Sequence, residues 1–298
     1  MKFATTLITL FTATVLLAAC STTDNKQPEP TTPSTTGVAA LTAVATTTQL
    51  PEATSTPPVP SGTITVFAAA SLTAAFEEIK IAFEAENAIA SVTYNFAGSA
   101  TLRAQLREGA PADVYASADT DNVQLAFEDD LVADDGRVFA RNRLALIVPR
   151  GDPGRITGFV DLGNSGVKLV LAQPEVPVGK YAREALQKMQ AEGSFGEGFA
   201  DRVLANVVSE ESSVKAVVAK VQLGEADAGI VYVTDVTPEL AADVTLIEIP
   251  AAFNVVAEYA IALTSNAGNP VTAAAFIEFI LSEDGQAILG AHGFLPVE

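Results

Sequence analysis

Four turns in this sequence carry the residue types that hold an anion without a formal charge. At Ser71, at Ser99, at Val178-Gly179 and at Ser213-Val214, an apolar strand-like run gives way to a small or hydroxyl residue and then to helical spacing. The first turn of a helix leaves backbone N–H groups unpaired and carries a partial positive charge, so it attracts an anion with no Lys or Arg. One Ser at such a turn is usually an ordinary N-cap. Four turns aimed at the C-terminal edges of their sheets make a neutral anion trap. Other chemistries have less behind them. No GxGxxG, GxxxxGK[ST] or GxSxG string occurs, and Gly163-Asn164-Ser165-Gly166 misses the last by one position. His292, the only His, stands in the terminal AHGFLP segment, away from every strand-to-helix turn, and receives no role. The adjacent acids Glu77-Glu78, Asp129-Asp130 and Asp134-Asp135 read as solvated faces, not acid/base pairs.

The elements that must position these turns follow from hydrophobic spacing. Residues 63–70 read as a buried strand, and Ser71 as the N-cap of a helix with Leu72, Ala75, Phe76, Ile79 and Phe83 on one face. A strand at 92–96 leads through Gly98-Ser99 into a helix with Leu102 and Leu106 that ends at Gly109, and a strand at 113–117 precedes a helix with Val123 and Phe127. Strands at 143–149 and 167–172, a helix beyond Gly179, a strand at 206–208 and a helix with Val214, Val217, Val218 and Val221 form the next group. Strands at 229–233, 244–249 and 257–263 follow, and Asn269-Pro270 opens a helix with Phe276, Phe279 and Ile280. This alternation predicts α/β lobes, each a mainly parallel sheet flanked by helices.

Composition narrows the functions. Of 298 residues, 49% are hydrophobic, enough for a core, and 17 Lys+Arg stand against 36 Asp+Glu for a net charge of −19. That sign opposes gripping a phosphate backbone, so nucleic acid is excluded as a partner. One Cys and one His cannot build a Cys/His zinc centre or an internal disulfide. The single Cys has a different use. Lys2, an apolar run from Leu7 to Leu17 and then Ala18-Ala19-Cys20 read as an export signal too short to span a bilayer, ending in a sequence that resembles a bacterial lipobox with Cys20 as the acylated residue. Residues 21–61 hold 12 Thr and 7 Pro with no aromatic residue, the composition of an extended solvated tether. The remaining 62–298 contains 15 basic and 33 acidic residues.

The segments VFAAASLTAAFEEI (66–79), FAGSATLRAQLREGAPADVYASAD (96–119), PEVPVGKYAREALQKM (174–189) and GEADAGIVYVTD (224–235) together resemble the periplasmic molybdate-binding proteins of molybdate ABC importers, in order and over nearly all of 62–298. The resemblance implies a type II periplasmic-binding-protein-like fold, with lobe one at 62–142 plus 258–298, lobe two at 143–257, and an anion cleft between them. It implies molybdate or tungstate as ligand, held by hydrogen bonds with no direct metal ligation. Ser71 and Ser99 would give hydroxyl and backbone N–H, Val178 and Val214 backbone N–H, and Tyr232 its phenol. Gly98 departs from the family, many members having another Ser there, and was expected to allow close backbone approach to a ligand. Lys180 is the nearest basic residue to the Val178 loop. No cofactor and no catalysis are implied. The partners would be an ABC permease and its ATPase, with the membrane met through a lipid anchor only and the protein a monomer exported to the cell envelope. A binding protein for sulfate, phosphate or another tetrahedral anion shares the same logic, and a surface lipoprotein enzyme would share the anchor and tether.

Cys20→Ala is expected to shift the protein from the membrane fraction to the soluble exported fraction with anion affinity unchanged. Incorporation of labelled palmitate into that variant would reject acylation at Cys20.

Overall fold

The computed structural model describes residues 59–297, with residue 153 left out; the export signal, Cys20 and nearly all of the tether lie outside the described residues. Nine strands and eight helices alternate along them. Strand β1 (Gly62–Ala69) leads into α1 (Thr73–Glu86) and returns as β2 (Ala90–Ala97), followed by α2 (Ser99–Arg107), β3 (Val114–Ser117) and α3 (Thr120–Glu128). Strand β4 (Arg137–Pro149) precedes β5 (Leu169–Ala172), α4 (Pro177–Glu192), α5 (Phe199–Ala205), β6 (Val207–Glu211), α6 (Val214–Gln222) and β7 (Ala228–Tyr232). Strands β8 (Val244–Glu248) and β9 (Val256–Leu263) and helices α7 (Pro270–Leu281) and α8 (Glu283–Ala291) complete the chain.

Strand order is β2-β1-β3-β9-β4-β7-β5-β6, with β8 beside β4. The α/β reading stands, but the sheets are mixed, not mainly parallel. The βα units pair in parallel, β1 with β2 and β3, and β5 with β6 and β7. Antiparallel pairing comes from the two strands that join the halves: β9 against β3 and β4, and β4 against β7 and β8. A chain that returns along an existing strand, without a helical crossover, runs antiparallel to it. Strand β4 pairs β9 from Arg137 to Arg143 and β7 from Leu144 onward, so one continuous strand serves two sheets. The elements on the β1–β3 and β9 side are termed lobe one, and those around β5–β8 lobe two.

Burial along β4 explains why its first half was missed in the sequence. From Arg137 to Arg143 exposed and buried positions are interspersed, with Arg137 and Arg143 outward, whereas Leu144 to Pro149 is buried throughout. Only the second half has the apolar run of a strand covered on both faces.

Lobe one is held by aromatic packing between α1, α7 and the sheet. Phe276 meets Phe83 edge-on at 5.3 Å and Phe76 at 6.2 Å between ring centroids, and all three rings are buried. In lobe two, α4 starts with Pro177 in its first turn and stops at Gly193, whose φ of 89° is the left-handed conformation glycine adopts at least cost. Its Val178, Ala182, Ala185, Leu186 and Met189 face the core. Phe276→Ala removes a ring packed against Phe76, Phe83 and Tyr94 and is expected to cost about 3–5 kcal/mol in chemical denaturation. A loss under about 1 kcal/mol would show that the neighbours collapse into the space.

Candidate functional site

The strand-to-helix turns read from the sequence meet in one place. A small cavity is lined by Ala69, Ala70, Ser71, Gly98, Ser99 and Ala118 of lobe one and by Val176, Pro177, Val178, Val214 and Tyr232 of lobe two. Ser71, Ser99, Val178, Val214 and Tyr232 are thus brought together, and all five are buried. None of the eleven lining side chains carries a charge.

Each turn reaches the cavity for a local reason. Strand β1 ends at Ala69 and the chain makes a 3-10 turn, Ala70–Leu72, before α1 begins. Ser71 is therefore not the N-cap it was expected to be: the cap position is Leu72, and the Ser71 hydroxyl lies 2.9 Å from the Tyr259 hydroxyl instead. The Thr73 hydroxyl, donating to the Ala70 carbonyl at 2.7 Å, ties this tight turn. Gly98 caps α2, leaving Ser99 as its first helical residue. The Ser99 oxygen accepts the Ala118 N–H at 3.0 Å, which binds the α2 start to the end of β3. Ser213 does cap α6, accepting the Ala216 N–H at 3.4 Å, and places Val214 in the first turn. Val178 occupies the corresponding stretch of α4. First-turn N–H groups have no acceptor within their own helix, so Val178 and Val214 offer main-chain donors.

Tyr232 ends β7 and is 1% exposed, yet its hydroxyl has no hydrogen-bond partner among the described residues. Its backbone N–H donates to Asp235 Oδ2 at 3.0 Å, which holds the strand end in place. Burial pushes the phenol well above its ordinary pKa, with the Tyr259 ring next in effect, so it enters the cavity as a neutral donor. Asp235 is itself buried, which raises its carboxyl above the usual range, and Lys215, 3.5 Å away, opposes this.

Two glycines beside the expected donors let the turns come so close, Gly98 in a role other than the one expected of it and Gly179 in one the sequence did not show. A Cβ on Gly98 would stand 2.2 Å from the Ser212 carbonyl oxygen of lobe two. The close approach expected toward a ligand is thus an approach between the two lobes. A Cβ on Gly179 would stand 2.2 Å from the Gln173 carbonyl, so the first turn of α4 can seat on the end of β5 only with glycine there. The signal for both was a Gly next to an expected donor.

Lys180 does not line the cavity. Its ammonium pairs with Asp121, joining α4 of lobe two to α3 of lobe one, and this hydrogen bond raises its pKa. His292 lies 2.8 Å from Glu78, also away from the cavity. Among the described residues no His/Cys/Asp/Glu cluster is arranged to hold a metal ion, and no helix is long and apolar enough to cross a membrane.

Two lobes joined by crossing strands, with a small cavity of convergent uncharged donors between them, define a solute-binding protein of the two-lobe type. Residues 64–295 match the model of the bacterial extracellular solute-binding protein family, and the chain belongs to that family. It is 39% identical over 231 residues to the molybdate-binding protein ModA of Mycobacterium tuberculosis, covering 78% of this chain and 84% of the relative. To ModA of Escherichia coli it is 32% identical over 241 residues, covering 78% and 89%. Among solved structures, the periplasmic molybdate-binding protein of Azotobacter vinelandii superposes with a TM-score of 0.68 at 20% identity, covering 79% of this chain and all of that one (100%). The sulfate-binding protein SubI of Mycobacterium tuberculosis superposes at 0.71 with 19% identity, covering 79% and 87%; at such identities the likeness is one of fold.

Gly98→Ala is expected to hold the lobes apart, because the added methyl meets a backbone carbonyl and not a flexible side chain. Small-angle scattering with saturating anion should show a larger radius of gyration than wild type, and calorimetry a weaker affinity. An unchanged radius would mean the lobes close without this contact.

Proposed function

We propose that this protein captures molybdate, and tungstate with it, outside the cytoplasm and delivers it to the permease and ATPase of an ABC importer. The observation that carries this reading is the cavity itself. The five residues that the molybdate-binding resemblance singles out line one cavity, no charged side chain is among its lining, and a buried Tyr232 hydroxyl there lacks a partner among the described residues. A buried polar group without a partner costs free energy, which a guest that accepts its proton would recover. The relatives named molybdate-binding proteins support the choice of anion.

The mechanism follows from the donor set. Ser71, Ser99 and Tyr232 present hydroxyls, and Val178 and Val214 present first-turn N–H groups, from both lobes at once. Oriented dipoles in a site closed to water stabilise a dianion strongly without the desolvation cost of burying a cation beside it. Binding favours closure because only the closed form offers contacts from both lobes. We read the protein as a carrier and not an enzyme, since the lining offers no base to activate Ser71 or Ser99. Acylation at Cys20, a single-copy state and export to the cell envelope complete the proposal. A second reading, a sulfate carrier, is favoured by the likeness in fold to SubI.

Calorimetry with molybdate, tungstate, sulfate and phosphate separates the two. Molybdate and tungstate are expected to bind alike and far more tightly than sulfate, and a preference for sulfate would establish the second reading. Ser71→Ala, Ser99→Ala and Tyr232→Phe each remove one donor to a charged acceptor and should cost about 1.5–3 kcal/mol of affinity. Val178→Ala and Val214→Ala keep the main-chain donor and should be nearly silent. The reverse pattern would mean that other groups hold the anion.

A further inference from the structure

A fully deprotonated oxyanion only accepts hydrogen bonds, so every hydroxyl in its site must be turned to donate. Ser99 meets this requirement through the main chain. Its oxygen already accepts the Ala118 N–H, which leaves its own proton for the cavity. Among the described residues the Tyr232 hydroxyl has no hydrogen-bond partner. Ser71 is different, because its hydroxyl has one partner among them, the Tyr259 hydroxyl at 2.9 Å, and either oxygen could be the donor.

The direction is decided one residue further on. Asn142 Oδ1 accepts the Arg143 N–H at 2.9 Å, which orients the amide and leaves Nδ2 facing Thr234 Oγ1 at 2.8 Å and the Tyr259 oxygen at 3.3 Å. An amide NH2 can only donate. Of the two groups within hydrogen-bond distance of the Tyr259 hydroxyl among the described residues, Asn142 Nδ2 cannot accept, so the Tyr259 proton goes to the Ser71 oxygen. Tyr259 and Asn142 are fully buried. Burial, with the Asp235 charge second, pushes the Tyr259 phenol well above its ordinary pKa, so it keeps that proton. The chain of donors runs from Asn142 through Tyr259 and Ser71 into the cavity.

We propose that Tyr259, oriented by Asn142, is a specificity-determining positioning residue that commits the Ser71 hydroxyl to donating and makes the site reject tetrahedral anions still carrying a proton. This deepens, and rests on, the oxyanion reading of the cavity. A protonated guest such as hydrogen phosphate has one O–H that needs an acceptor. The Ser71 and Ser99 oxygens already accept one hydrogen bond each, from Tyr259 and Ala118, and no carboxylate is among the lining side chains, which leaves the Tyr232 oxygen as the side-chain acceptor without a donor of its own. A guest O–H that takes Tyr232 as its acceptor turns that donor away from the anion, and one that does not stays unpaired; either costs affinity that a proton-free anion does not lose.

Asn142→Asp tests the direction with almost no change of shape. A carboxylate at 142 accepts the Tyr259 proton, Tyr259 then accepts from Ser71, and Ser71 turns lone pairs to the guest. The experiment measures affinity of the full chain for molybdate and for inorganic phosphate, directly or by competition, in mildly alkaline buffer where phosphate is a dianion bearing one proton. The ratio of the two affinities is expected to fall at least about tenfold in Asn142→Asp, the scale of one hydrogen bond to a charged group. Tyr259→Phe, which merely frees the Ser71 rotor, should lower the ratio less, and it carries the test if thermal unfolding shows Asn142→Asp misfolded. Equal losses for both anions, leaving the ratio at the wild-type value, would mark a purely structural role and overturn the proposal. Wild-type protein that binds neither anion would overturn the oxyanion reading, and this proposal with it.

Discussion

Burying an anion with no counter-charge beside it requires donors from several directions, all dry and all aimed inward. Most of the architecture can be traced to that requirement. Helix starts supply main-chain donors but only along their axes, so more than one helix must point at the same spot. Parallel βα units put such starts at one edge of each sheet, and two sheets facing each other surround the cavity. Strand β4 and strand β9, which carry Asn142 and Tyr259, join the sheets and pass directly behind the site. The strands that join the sheets thus also carry the residues that bond to the Ser71 hydroxyl.

Contact between the lobes is made mainly by backbone and small side chains. Gly98 faces the Ser212 carbonyl, and Ala69, Ala70 and Ala118 complete the wall of lobe one. Larger residues there would separate the donors by more than hydrogen-bond reach. Among the described residues the one ion pair that spans the cleft, Lys180 with Asp121, is exposed. An ion pair so exposed contributes little to stability. It pairs the cation two residues after Val178 with a carboxylate, in a protein of net charge −19.

The sequence alone determined the α/β class, the positions of most elements and the four strand-to-helix turns that meet at the cavity, while Tyr232 came only with the family resemblance. It could do so because strand-to-helix turns are local: an apolar run, a small or hydroxyl residue and a helical period lie within some 20 residues of one another, as from Thr63 to Phe83. The first half of β4 was not legible, since its arginines break the apolar run on the exposed side, and α5 is only seven residues long while α8 buries only Gly285 and Leu289, so neither shows a clear period. Tertiary structure alone decided what each hydroxyl does. Ser71 looks like a cap in sequence and is instead bonded to Tyr259, 188 residues away. Gly98 looks like room for a ligand and is room for the other lobe. The mixed direction of the sheets also lay beyond reach, because a strand's pattern of side chains is the same whichever way its neighbour runs. Proton direction in the Asn142–Tyr259–Ser71 chain depends on three residues that only the crossing strands bring together, and no spacing within the sequence encodes it.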